Sequence, residues 1–178
     1  MQMRPQIQLQ AVIKALSEVV LPAIDPANTL AIEQGKLSIG LLALLAQQLP
    51  VQFAFDRDEL ARLIATSEQL AREARGGADT QAALAALHDA TAAAGHSLEA
   101  ARASPAELEA GIRALRRATG ELVSAVHRDG DAGSCGAVQA TVLAMSKQQL
   151  LRERSMLLMQ GWEPDPKAVP PLADLLAR

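Results

Sequence analysis

Between Ser104 and Val126 the chain reads SPAELEAGIRALRRATGELVSAV. Ser104 and Glu107 have the spacing of a capping box, and Pro105 suits the first helical position because an N–H there would have no partner. Apolar or small side chains then recur at steps of four and three residues: Leu108, Ile112, Leu115, Thr119, Leu122 and Val126. This period puts them on one face of a helix. The segment therefore predicts a long amphipathic helix with one buried face.

The same helical period extends over most of the 178 residues. Six helices are predicted, from about Gln6 to Leu21, Asp25 to Leu49, Asp56 or Asp58 to Gly76, Asp79 to Ala103, Ser104 to the break at Gly130, and Ser134 to Gln160. The fourth continues through Gly95, since its apolar spacing does not change there. We expect an all-α fold, an up-and-down bundle of about six helices around an Ala/Leu-rich core.

Residues 1–161 are predicted to form a single domain. Residues 162–178 form a Pro-rich C-terminal tail that ends in a short amphipathic turn, Leu172 to Leu176. The most apolar stretch, Leu37 to Leu49, is shorter than the roughly 20 residues that span a bilayer. It predicts a buried core helix and no membrane insertion. Gly35 and Gly40 weaken this helix, so we expect a neighbouring helix to approach closely at both.

Composition excludes several classes of protein. Lys and Arg number 17 against 20 Asp and Glu, and only 2% of residues are aromatic, so a nucleic-acid partner is not expected. One cysteine cannot form a disulfide scaffold. The N-terminal residues lack the continuous apolar segment of a secretory signal, and a cytoplasmic location is expected.

The histidines and glutamates do not have metal-ligand spacing. No glutamate is followed by a histidine three residues later, as a di-iron bundle requires. His88 and His96 are eight residues apart, about 80° around a helix, and are poorly placed to share one ion. We expect no metal and no cofactor.

Cys135 is the candidate nucleophile. The sequence places it in the first turn of the sixth helix, where the helix dipole and free N–H groups stabilise a thiolate. His127 lies eight residues upstream across a Gly-rich loop, and we expect it to reach the thiol and accept its proton. The alternative is a small residue packed at a helix start, and no cysteine-enzyme signature surrounds it.

Charged and polar side chains interrupt the most apolar helices. These candidate ligand-binding residues are Glu33, Gln34, Lys147, Arg152 and Glu153. Charges on a broadly buried helix need partners, so they either pair within the bundle or line a polar ligand site between the second and sixth helices.

The leading hypothesis is a non-catalytic protein that acts through protein–protein interaction, as a homodimer or with another protein partner. Frequent alanines leave little side-chain bulk in each helix, so a second copy would complete the core. The alternative is a bundle that binds a small apolar or amphipathic molecule. A cysteine-dependent enzyme is the third hypothesis.

Overall fold

The protein is all-α, as the sequence predicts. The computed structural model describes residues 4–100 and 103–176, and in this part of the chain it is 85% helical with seven helices and no strands. The helices are α1 (Pro5–Ala15), α2 (Thr29–Gln48), α3 (Gln52–Glu73), α4 (Ala78–Glu99), α5 (Pro105–Asp129), α6 (Ala132–Leu157) and α7 (Leu172–Leu176).

The chain divides into two compact units. The N-terminal unit comprises the residues up to Gln52 together with Arg154–Leu172, and the bundle unit comprises Phe53–Glu153 with the residues from Ala173 onward. Helix α6 is continuous from the bundle unit into the N-terminal unit. The single domain over residues 1–161 stays a prediction.

The bundle unit has one apolar core, which α3, α4, α5 and α6 share. Its fully buried leucines are Leu60, Leu70, Leu87, Leu108, Leu115 and Leu122. The predicted capping box begins α5: the Ser104 hydroxyl accepts from the Glu107 N–H, and the Glu107 carboxylate accepts from the Ser104 N–H. Every residue of the predicted α5 stripe is buried.

The four helices alternate in direction, and the ends of two of them meet at a pair of backbone hydrogen bonds that we call the clasp. The end of α3 and the end of α5 lie side by side there: the Gly77 N–H donates to the Asp129 carbonyl, and the Asp131 N–H donates to the Arg75 carbonyl. Helices α4 and α6 both begin beside this clasp. The up-and-down arrangement therefore holds for these four helices.

The fourth helix passes through Gly95 without a break, as predicted, and ends at Glu99. The predicted end at Ala103 reaches past residues 101 and 102, which lie outside the described part of the chain. The third helix begins earlier than predicted, at Gln52.

The N-terminal unit contains α1 and α2 as a helical hairpin. Helix α1 passes through a π-helical turn (Leu16–Val20) into a 3-10 turn (Leu21–Ala23). The predicted start of the second helix at Asp25 is wrong. The Asp25 carboxylate accepts from the Ala27 N–H in a turn, and the Asn28 side chain caps α2 by accepting from the Ala31 N–H.

The prediction that the second helix is buried is also wrong. No residue of α2 is buried, and the same is true of α1. The chain segment before α2 approaches it closely at Gly35, where an added Cβ would lie 2.9 Å from Cδ1 of Leu21. No such approach occurs at Gly40, where an added Cβ would meet nothing within 4 Å. The sequence of α2 is apolar over most of its length, but no described residue of this unit covers the face that carries its exposed leucines.

Candidate interaction surface

Nine aliphatic side chains of the α1–α2 hairpin are between 45% and 70% exposed. We call them the apolar surface: Ile7, Val12, Val19, Val20, Leu30, Leu37, Leu41, Leu45 and Leu49. On α2, the last four leucines follow one another at four-residue steps. They form a continuous ridge, because residues four apart are neighbours on the helix surface. The ridge turns by about 40° at each step, and so by about 120° around the helix from Leu37 to Leu49.

Two grooves border this ridge. The hairpin groove lies between α1 and α2, has a volume of about 480 Å³ and is lined by Pro5, Gln8, Leu9, Val12, Leu45, Gln48, Leu49 and Gln52. The tryptophan groove has a volume of about 380 Å³ and is lined by Glu33, Gln34, Lys36, Leu37, Ser38, Gly40, Leu41, Gln160 and Trp162. The surface is therefore not flat: it has a ridge and two depressions.

The start of the C-terminal tail is fixed in place beside the tryptophan groove. Gly161 adopts a left-handed conformation, with φ of 68°, that ends the helical run of α6 and its 3-10 turn. The Glu163 carboxylate accepts two hydrogen bonds of 2.8 Å from the Arg154 guanidinium. Farther along, the Ser155 hydroxyl donates to the Pro170 carbonyl and Val169 is buried.

By length and composition alone, α2 could also cross a membrane, and none of its most apolar window is buried. The charge of the hairpin does not favour an anionic bilayer. Residues 4–52 carry three basic side chains and three acidic ones: Arg4, Lys14, Lys36, Glu18, Asp25 and Glu33. Helices that bind such bilayers have an excess of Lys and Arg on their polar face.

The predicted ligand-binding residues fall into different compact units. Glu33 and Gln34 line the tryptophan groove, where the Glu33 carboxylate pairs with Lys36 at 2.9 Å. Lys147 is exposed on α6 in the bundle unit. The ligand role of these residues stays a prediction.

Arg152 and Glu153 belong to an ion-pair cluster on α3, α5 and α6 of the bundle unit. Its members are Asp58, Glu59, Arg62, Arg116, Gln149, Arg152 and Glu153. Oδ2 of Asp58 accepts from Nε of Arg62 at 2.8 Å and from Nε of Arg152 at 3.0 Å. The side chains of all three are less than a fifth exposed. These charges are paired within the bundle, which was one of the two alternatives.

Cys135 and His127 do come together. The Cys135 sulfur lies 3.8 Å from Nδ1 of His127. The pair faces a groove of about 380 Å³ with Val123, Ser124, Val126, Val138 and Gln139. Cys135 is three residues into α6, and its thiol is only partly exposed. A thiol beside an imidazole can lose its proton to it, but no third group that orients the imidazole is seen in the described residues, and a catalytic role stays a hypothesis.

Asp129 supplies the hydrogen-bond acceptor for the first turn of α4. Its carboxylate accepts from the Asp79 N–H, the Thr80 N–H and the Thr80 hydroxyl. The Thr80 hydroxyl has the largest effect on the pKa of Asp129 and, with the two backbone N–H groups and Arg128, holds it below its ordinary value.

We expect stability to fall in acid because of this lowered pKa. The contribution is fully present above the unfolded-state pKa of about 4 and is lost as the pH falls through the lower folded-state pKa. Urea unfolding at pH 7, 5, 4 and 3 measures it, and Thr80→Val should flatten the decline below pH 4. Thr91→Val is the control, since the Thr91 hydroxyl donates only to the Leu87 carbonyl. An equal slope in both variants would contradict the assignment.

Sequence reasoning missed Trp162 and the hairpin groove. The periodicity of α1 and α2 identifies apolar faces, but it does not say which face a neighbour leaves open. No protein-family model, curated protein or solved structure matches this chain.

Proposed function

We propose that this protein is a non-catalytic interaction protein and that it forms a homodimer through the apolar surface of the α1–α2 hairpin. The observation that carries the proposal is the exposure of nine aliphatic side chains in a hairpin whose two helices have no buried residue. Contiguous apolar patches of several hundred Å² on a soluble chain mark interaction sites. A cytoplasmic location fits a chain with one free thiol.

The area of the surface supports a second copy as the partner. Burying a Val, Leu or Ile side chain removes on the order of 100 Å² of apolar surface, so nine half-exposed ones hold on the order of 500 Å². A standard interface buries about 800 Å² per partner, somewhat over half of it apolar. A ridge flanked by grooves also suits a two-fold interface, where the same patch must fit itself.

The test is the mass in solution of variants on and off the surface. Light scattering after gel filtration should give twice the chain mass of 18.8 kDa for the wild type and a single chain mass for Leu37→Lys. Leu143→Lys is the matched control, because Leu143 on α6 is 52% exposed and Leu37 is 53% exposed. A monomeric wild type, or equal behaviour of the two variants, would overturn the proposal.

A second function is favoured by the hairpin groove. Its volume of about 480 Å³ lies in the range of small-molecule sites, and its mostly aliphatic lining with glutamine amides suits an amphipathic molecule. Native mass spectrometry of gently purified protein distinguishes small-molecule binding from dimer formation. A reproducible extra mass of a few hundred daltons per chain would favour ligand binding, and a bare multiple of the chain mass would favour the dimer.

A further inference from the structure

Trp162 is the largest side chain on the surface of the N-terminal unit, and 70% of it is exposed. Before it, the Gly161 N–H donates to the Leu158 carbonyl, and after it, the Glu163 side chain pairs with the Arg154 guanidinium. The indole is therefore presented from an ordered segment. Little conformational entropy would be lost if a partner covered it.

The two grooves lie at different heights along α2. The tryptophan groove includes Leu37 and Leu41, and the hairpin groove includes Leu45 and Leu49. A shift of eight residues corresponds to about 12 Å along the helix axis. All four leucines lie on the same ridge, which turns by about 80° between the two pairs, so the grooves open on adjacent faces of α2 that the ridge connects.

We infer that, in the proposed homodimer, the two α2 helices run antiparallel and Trp162 of each copy fills the hairpin groove of the other. This inference rests on the proposed function and names the anchor of that interface. A two-fold axis between Leu41 and Leu45 sets the tryptophan groove of each copy opposite the hairpin groove of its partner. Both contacts form together, and the assembly closes at two copies.

The chemistry of the hairpin groove fits an indole. Its aliphatic lining suits the ring, and its volume of about 480 Å³ exceeds that of the side chain. The Gln48 amide oxygen at the groove can accept from the indole N–H, which buried tryptophans usually require. Tryptophan is also among the residues most enriched at interface hot spots.

Intrinsic fluorescence observes this contact directly. The chain has one Trp and no Tyr, so its emission comes from Trp162 without interference from another indole or phenol. On dilution through the dimer-to-monomer transition, the emission maximum should move to longer wavelength as the indole returns to water. An emission spectrum that stays constant while the mass halves would overturn the inference and leave the homodimer intact.

Two variants test the two sides of the contact. Trp162→Ala removes the anchor and should raise the dimer dissociation constant at least about 30-fold, the effect of a 2 kcal/mol hot spot. Val12→Phe fills the hairpin groove from a position that is 46% exposed, so the fold should tolerate it, and should weaken the dimer similarly. Leu143→Ala should leave the dissociation constant unchanged.

Mixing the two variants separates this geometry from a general loss of apolar area. A heterodimer of Trp162→Ala with Val12→Phe keeps one intact contact, the indole of the second chain in the open groove of the first. It should be tighter than either variant homodimer, measured by sedimentation of labelled mixtures. A mixture no tighter than its components, or a dissociation constant for Trp162→Ala within threefold of wild type, would overturn the inference. A monomeric wild type would instead overturn the proposed function.

Discussion

Replacement of Asp58 by alanine should lower the free energy of unfolding by about 3–5 kcal/mol. The Asp58 carboxylate is the common partner of Arg62 and Arg152, whose side chains are only 17% and 11% exposed. Without it, two guanidinium groups of like charge remain close together and largely out of water. Arg62 keeps the Gln149 amide oxygen and Arg152 keeps the Leu175 carbonyl, but neither partner carries a charge. Urea unfolding at pH 7 measures the loss.

Two further variants show whether buried charge is the cause. Asp89→Ala removes a carboxylate whose side chain is 88% exposed and should change stability by less than about 0.5 kcal/mol. Asp58→Leu combined with Arg62→Met and Arg152→Met removes all three charges and should be close to wild type in stability. If this triple variant were as unstable as Asp58→Ala, the loss would come from the hydrogen-bond geometry rather than from the unpaired charges.

The sequence predicts best those features that depend on neighbours along the chain. The start of α5 is defined by Ser104 and Glu107, three residues apart, and its buried face follows from a regular spacing. The start of α2 shows how local reasoning fails. Asp25 and Asn28 are both capping residues, and Pro26 favours the first of them, but that aspartate closes a turn of its own.

Features that depend on distant residues could not be predicted in this way. The acceptor at the start of α4 is Asp129, about 50 residues downstream. The partner of Arg152 is Asp58, 94 residues upstream. Periodicity records which residues avoid water, but it does not record which helix covers them. For the same reason α2 has the sequence of a core helix while one of its faces is open.

Gly130→Ala should lower the free energy of unfolding by about 2–3 kcal/mol, because the added methyl group overpacks the last turn of α5 where it reaches the clasp. A Cβ at Gly130 would overlap the Val126 carbonyl oxygen and lie 2.7 Å from Cγ1 of Val126. Gly76 lies opposite Gly130 and has no more room for a side chain, since its Cβ would lie 2.7 Å from the Gly130 Cα. The clasp brings two backbones together, and neither can move without breaking the pair of hydrogen bonds between Arg75–Gly77 and Asp129–Asp131.

Gly120→Ala is the matched control for this substitution. Gly120 lies within α5, and a Cβ there would meet nothing within 4 Å. Alanine should therefore stabilise the protein by about 0.5–1 kcal/mol through its higher helix propensity. Thermal and urea unfolding of both variants should show a decrease in stability for Gly130→Ala and an increase for Gly120→Ala. A neutral Gly130→Ala would mean that the last turn of α5 moves away from the added methyl group at little cost.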